Sequence, residues 1–227
     1  MQVATGGTVS GGFTYSPAAN VTAVFSCGCF PQAGIANTDG SGHFSATSPA
    51  TATPGPSPYV MVPTRNYIVI AEPVSGSGPQ GWTLFFAGNS PGATLGLGDT
   101  ASMLASASTS DVYTTAAALY VYKLSTQCVH TCDKAFDDWN FNAVQAWVTH
   151  LHAGPINFAE TTLLNDIASQ SAASASLFTK APSWNPSQPL NSGPINNDIN
   201  AVKGSSDSTI PTPCPGGPSA CTGTPTP

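Results

Sequence analysis

Two hydrophobic periods divide the chain near residue 110. Before that point, short runs of β-branched and aromatic residues stand between Gly, Pro and Asn breaks, the pattern of strands. Thr8 to Tyr15 and Val21 to Cys27 are the first two runs. Within the second, Val21, Ala23 and Phe25 alternate with Thr22, Val24 and Ser26, as in a half-buried strand. Ala33 to Thr38 and His43 to Thr47 flank Asp39-Gly40-Ser41-Gly42, a hairpin signal because Gly accepts positive φ. A Pro-rich stretch from Pro49 to Pro63 leads to two apolar runs, Tyr67-Ile68-Val69-Ile70-Ala71 and Trp82-Thr83-Leu84-Phe85-Phe86, which read as buried strands.

After residue 110 the spacing becomes helical. Ser110 is of N-cap type, and Val112, Ala116, Leu119, Tyr120 and Leu124 follow a helical period, with a strand over Leu119 to Leu124 as the alternative. Phe136, Trp139, Ala143, Trp147 and Leu151 form the stripe of a second helix that Gly154-Pro155 ends, with Asp133, Asp137 and Asp138 in or near its first turn. A third helix carries Leu163, Leu164, Ile167, Ala168, Ala175 and Phe178. A short fourth starts at Pro194 and stops at Gly204.

The predicted fold class is therefore α+β: an N-terminal antiparallel β-sandwich over residues 1–105, then a small helical segment of three to four helices over 106–204 packed on it. Phe136, Trp139, Trp147, Leu163, Leu164 and Ile167 are its expected contacts with the sandwich. Residues 205–227 are rich in Pro, Thr and Gly and read as a tail with a local disulfide.

Composition narrows the function classes. Charged residues are 7% of the 227 positions, against about 25% in typical soluble domains. Hydration falls to hydroxyl and amide side chains, the habit of secreted and cell-surface proteins. The net charge is -6 with five Lys plus Arg and no basic run, which argues against nucleic acid and against an anionic membrane surface. No window approaches ~18 consecutive apolar residues, so no transmembrane helix is expected. The opening residues, Met1 to Gly7, lack the basic start and apolar run of a signal peptide.

The six cysteines fall in three local pairs: Cys27 with Cys29, Cys128 with Cys132, and Cys214 with Cys221. An even number in so uncharged a chain favours disulfides in an oxidising compartment. Cys214 and Cys221 enclose a short Pro/Gly loop and are expected to pair, whereas the single Gly between Cys27 and Cys29 disfavours a bond between them.

Gly7-Thr8-Val9-Ser10-Gly11, Ala23-Val24-Phe25 and above all Thr38-Asp39-Gly40-Ser41-Gly42-His43-Phe44, with Tyr67-Ile68-Val69 after it, resemble the motifs of carboxypeptidase-regulatory-like domains. The resemblance covers roughly residues 6–100. It implies a transthyretin-like β-sandwich serving as a non-catalytic accessory or adhesive module, with no catalytic residue to carry over. The Pro-rich insertion and Cys27-Gly28-Cys29 depart from the family pattern.

Each motif with catalytic potential has a simpler reading. Gly88-Asn89-Ser90-Pro91-Gly92 has the form of a nucleophile elbow, but the oxyanion hole needs the N–H after the serine, and Pro91 has none. His150 and His152 stand two apart near a helix end, point in different directions and read as solvated or capping groups. Cys27 and Cys29 with Cys128 and Cys132 would suit a thiolate zinc site, yet disulfides explain the same residues. Asp137 and Asp138 diverge on a helix and do not form a glycosidase pair with Glu160. Asp39 is one carboxylate, too few for calcium. Asn20-Val21-Thr22 is a glycosylation sequon. Trp184, in a Pro/Ser/Asn stretch, is the candidate exposed aromatic for a ligand contact.

The sequence thus assigns no catalytic, cofactor-binding or metal-binding residue. Its leading reading is a non-catalytic extracytoplasmic protein, secreted, periplasmic or at the cell surface, with a structural, adhesive or assembly role. Such a role admits a protein or glycan partner and self-assembly. The alternatives are a carbohydrate- or small-ligand-binding module and a hydrolase whose site is assembled from distant residues.

Overall fold

The computed structural model describes helices and connections over residues 111–125, 138–172 and 193–215, and the backbone of strands before them. The strands are β1 (Thr8–Phe13), β2 (Val21–Ser26), β3 (Gly34–Asn37), β4 (His43–Thr47), β5 (Arg65–Pro73), β6 (Gly81–Ala87), β7 (Ser102–Met103) and β8 (Thr109–Ser110). The helices are α1 (Val112–Ser125), α2 (Phe141–Ala153), α3 (Phe158–Ala172) and α4 (Gly193–Lys203). Two sheets form, in the orders β4-β1-β8 and β3-β2-β5-β6-β7. The β5–β6 ladder pairs Tyr67 with Phe85 and Ile70 with Trp82, joining the two apolar runs of the sequence.

The expected fold class is overturned. Among the described residues, the span from 111 to 210 is helical with no strand, and the whole described core lies in it. An antiparallel sandwich with a minor helical appendage does not describe such a molecule. One strand pair, β1 with β8, is also parallel. The hairpin expected at Asp39-Gly40 is not a paired hairpin either, because β3 joins β2 and β4 joins β1 in the other sheet.

The centre of the described core is α1. Thr114 through Tyr122 are buried without interruption, so the helix has no polar face. A helix apolar on all sides needs cover on all sides. Here α2, α3, α4 and β6 supply it. Its N-cap is Asp111 rather than Ser110: Asp111 Oδ1 accepts from the N–H groups of Tyr113 and Thr114, both at 2.9 Å. The buried Thr114 and Thr115 hydroxyls donate to the Asp111 carbonyl, which satisfies them without solvent. Burial pushes the Tyr120 and Tyr122 hydroxyls up to about 12.

The second helix starts later than its stripe predicts. Asn140 caps it, its side chain accepting from the Ala143 N–H at 3.2 Å. Asp138 therefore precedes the helix, and Trp139 is fully buried from a non-helical position. The Trp139 ring meets Tyr120 edge-on at 5.8 Å, and its Nε1–H donates to Ser125 Oγ at 2.7 Å. The buried stripe of α2 is Phe141, Val144, Trp147, Val148 and Leu151, whereas Ala143 is exposed. Gly154 ends the helix at φ 59°, in the left-handed region, donating its N–H to the His150 carbonyl.

Leu163, Leu164 and Ile167 of α3 and Ile195, Ile199 and Val202 of α4 complete the core. Ala168, expected on the buried stripe of α3, is exposed. Beyond α4 the chain stays on the core: Ile210 and Cys214 are buried, and the Cys214 N–H donates to the Asp138 carbonyl. Cys214 is disulfide-bonded. Phe136, Ala175, Phe178, Trp184 and the other five cysteines lie outside the described residues. No helix among the described residues is long and apolar enough to cross a membrane.

Candidate functional site

The chemistry-bearing side chains that converge do so where α2 ends, α3 begins and the chain returns after α4. The connection 154–157 turns the chain so that the last turn of α2 faces the first turn of α3. Asn157 and Glu160 form a reciprocal capping box: the Glu160 N–H donates to Asn157 Oδ1 at 2.9 Å, and the Asn157 N–H donates to Glu160 Oε2 at 3.0 Å. This holds the Glu160 carboxylate over the start of α3, where the helix dipole favours a negative charge.

Glu160 is completely buried, so its charge needs donors. Trp147, one α-helical turn before His150, donates its Nε1–H to Glu160 Oε1 at 2.7 Å. The indole and the Asn157 amide thus fix both carboxylate oxygens. Asn157 also donates its side-chain N–H to Ser205 Oγ at 3.0 Å, tying the α3 cap to the segment after α4.

That segment carries the second carboxylate. The Asp207 N–H donates to Ser205 Oγ at 3.2 Å, and Asp207 Oδ1 accepts from the Thr209 N–H at 2.8 Å and the Thr209 hydroxyl at 2.7 Å. These bonds to the charged form lower the Asp207 pKa, the Thr209 backbone N–H foremost. With Oδ1 so occupied, Oδ2 is turned to His150.

His150 Nε2 lies 3.8 Å from Glu160 Oε2 and 3.5 Å from Asp207 Oδ2. The nitrogen is itself buried and has no hydrogen-bond partner among the described residues. The three ligand-type atoms all lie within 4.8 Å of one another. The His150 and Asp207 side chains keep 19% and 21% of their surface, so the cluster opens to solvent on one side.

His152 belongs to a different environment. Its Nε2 lies 3.1 Å from Asp111 Oδ2, and its ring packs on Tyr113 at 3.9 Å between centroids. The two histidines point apart, as their spacing implied, and do not share a ligand. A further carboxylate pair bridges α3 and α4. Burial, then the hydrogen bond and the charge of Asp166, push Asp198 up to about 6. Asp198 Oδ2 is a buried oxygen with no donor when both groups are ionised, and a shared proton supplies one.

In the sequence His150 and Glu160 stand in separate motifs, and Asp207 stands in none. Asn157-x-x-Glu160 was a legible cap signal, whereas nothing local marks Asp207 as a neighbour of either. The six candidate cysteines are not brought together among the described residues, since Cys214 alone is described. Asp138 is half-buried ahead of α2, with Asp137, Trp184, Asp39 and the Gly88–Gly92 stretch outside the described residues.

Comparison with protein-family models, with curated proteins and with solved structures finds no match to the chain. None of the three identifies a carboxypeptidase-regulatory-like domain.

Proposed function

We propose that the chain is a non-catalytic extracytoplasmic module with a structural, adhesive or assembly role. The disulfide at the buried Cys214 carries this reading, because disulfides persist in oxidising compartments and are rare in reducing ones. The Cys214 backbone N–H, bonded to the Asp138 carbonyl, holds the segment after α4 beside the residues that precede α2. The sparsely charged composition supports the same assignment. So does the use of the buried polar groups. Glu160, Trp147, Asn157 and Ser205 hold one another, and in doing so hold three parts of the chain together. An extracellular scaffold benefits from such internal ties, since it has no chaperones to refold it.

Native mass spectrometry of the protein from its own host, with and without reductant, tests the proposal. A fully oxidised chain, assembled with itself or a surface partner, is the expected result. A fully reduced chain would refute the extracytoplasmic assignment. Sustained turnover of ester, glycoside or peptide substrates that survives purification would refute the non-catalytic one.

A further inference from the structure

We infer that His150, Glu160 and Asp207 form a binding site for one divalent transition-metal ion of the zinc class, closing α2, α3 and the segment after α4 onto one another. The inference stands on geometry and does not depend on the compartment or role proposed above.

The obvious alternative is an ion pair of a protonated His150 with the two carboxylates, which at these separations stands without a hydrogen bond. An N–H to oxygen hydrogen bond spans ~2.7–3.2 Å, and His150 Nε2 stands at 3.5 and 3.8 Å from the two carboxylate oxygens. A buried nitrogen facing two anionic oxygens and bonding to neither is costly as it stands. As ligands of one ion, His150 Nε2 and Asp207 Oδ2 at 3.5 Å already stand at the right separation, and Glu160 Oε2 at 3.8 Å closes by a few tenths of an ångström. Donors bound at ~2.0–2.2 Å in tetrahedral geometry lie ~3.3–3.6 Å apart. An ion in the middle satisfies the imidazole nitrogen and neutralises the buried Glu160 charge together.

The surroundings of the three ligands are those of a metal site. Outside donors hold both carboxylates: Trp147 Nε1–H on Glu160 Oε1, the Asn157 N–H on Glu160 Oε2, which keeps a lone pair for an ion, and Thr209 on Asp207 Oδ1. Such bonds orient a ligand before the ion arrives. Glu160 Oε2 and Asp207 Oδ2 are the oxygens presented to His150. The partial exposure of His150 and Asp207 gives an entry path and room for water in the remaining position. One imidazole with two carboxylates is a borderline donor set, harder than a thiolate zinc site and softer than an all-oxygen calcium site.

The test uses the full oxidised chain, stripped with chelator, with any free thiols alkylated so that cysteine cannot take the metal. Zinc is titrated by calorimetry, thermal unfolding is followed alongside, and X-ray absorption reads the ligand shell. The expected result is saturation at one ion per chain, a nitrogen/oxygen shell and a melting temperature raised by several degrees. His150→Gln and Asp207→Asn should each weaken binding by about tenfold or more, while His152→Gln leaves it unchanged. Glu160 is left intact because the cap of α3 depends on it, and circular dichroism confirms that each variant is folded. Absence of saturable zinc binding would overturn the inference. So would a sulfur-containing shell, binding indifferent to both variants, or saturation by calcium without a response to zinc.

Discussion

Replacing Trp147 with Phe is the most incisive test of the helical core. Trp147 is fully buried, packs on Tyr120 at 5.0 Å between ring centroids and donates to Glu160. Phenylalanine keeps most of the aromatic packing and removes the indole N–H. A hydrogen bond to a charged group contributes about 1.5–3 kcal/mol, and Glu160 has no solvent to replace the donor. The smaller ring adds about 1–2 kcal/mol for the space left in a packed interior. The expected loss is therefore about 2.5–5 kcal/mol, within the total stability of an ordinary domain, so the variant should still fold. Truncation to Ala would cost about that much in packing alone. Urea unfolding followed by the helical circular dichroism signal measures the difference, with an unchanged slope showing that the same surface is exposed. A double-mutant cycle with Glu160→Gln should give a coupling of about 1 kcal/mol or more. A Trp147→Phe variant within about 0.5 kcal/mol of the parent would refute both the burial of the indole and its bond to Glu160.

Two further outcomes follow from the helix ends and the acidic pair. Asn157→Ala removes the α3 cap and the tie to Ser205, and should lower stability by about 1–2 kcal/mol in the same denaturation assay; no change would mean that the capping box is not formed in solution. The raised pKa of Asp198 means that the folded state holds a proton that the unfolded state releases near the ordinary carboxyl value of 3.8. The contribution is thus fully present below about pH 4 and lost as pH rises through about 6. Allowing for solvent screening it amounts to the order of 1 kcal/mol. Thermal unfolding between pH 4.5 and 7.5 should show Asp198→Asn flattening that dependence, and an Asn variant with the parent's pH profile would show that Asp166 and Asp198 do not share the proton.

The helical period of α3 was legible because Leu163, Leu164 and Ile167 repeat on one face, and all are buried. The role of α1 was not. Its apolar positions keep a helical spacing, but the intervening alanines and threonines are buried too, and Ala and Thr carry no signal that separates a covered face from an exposed one. Trp139 fitted a helical spacing without lying on a helix, since a ring can reach the core from the residues before a cap. Asp39-Gly40 marked a reversal of the chain but not which strands would pair across it, and β3 and β4 went to different sheets. The β-branched runs before residue 110 drew the weight of the fold prediction, although the described core is helical. At the candidate site, the capping box was local and readable, while the meeting of Asp207 with His150 depends on how the segment after α4 docks. That docking rests on Asn157 and Asp138, which bond Ser205 and Cys214, and on Ile210 in the core, spread over three stretches of chain.

The central position of α1 governs the timing of folding. Its cover comes from both directions along the chain: β6 is synthesised before it, and α2, α3 and α4 after it. Roughly 80 residues separate the end of α1 at Ser125 from the end of α4 at Lys203. At ~5–20 residues per second, a ribosome takes ~4–16 s to supply that length. Throughout that interval the most apolar helix of the protein lacks a flank that only later residues can provide. Nascent chains and products terminated before α4 therefore share the same uncovered flank of α1.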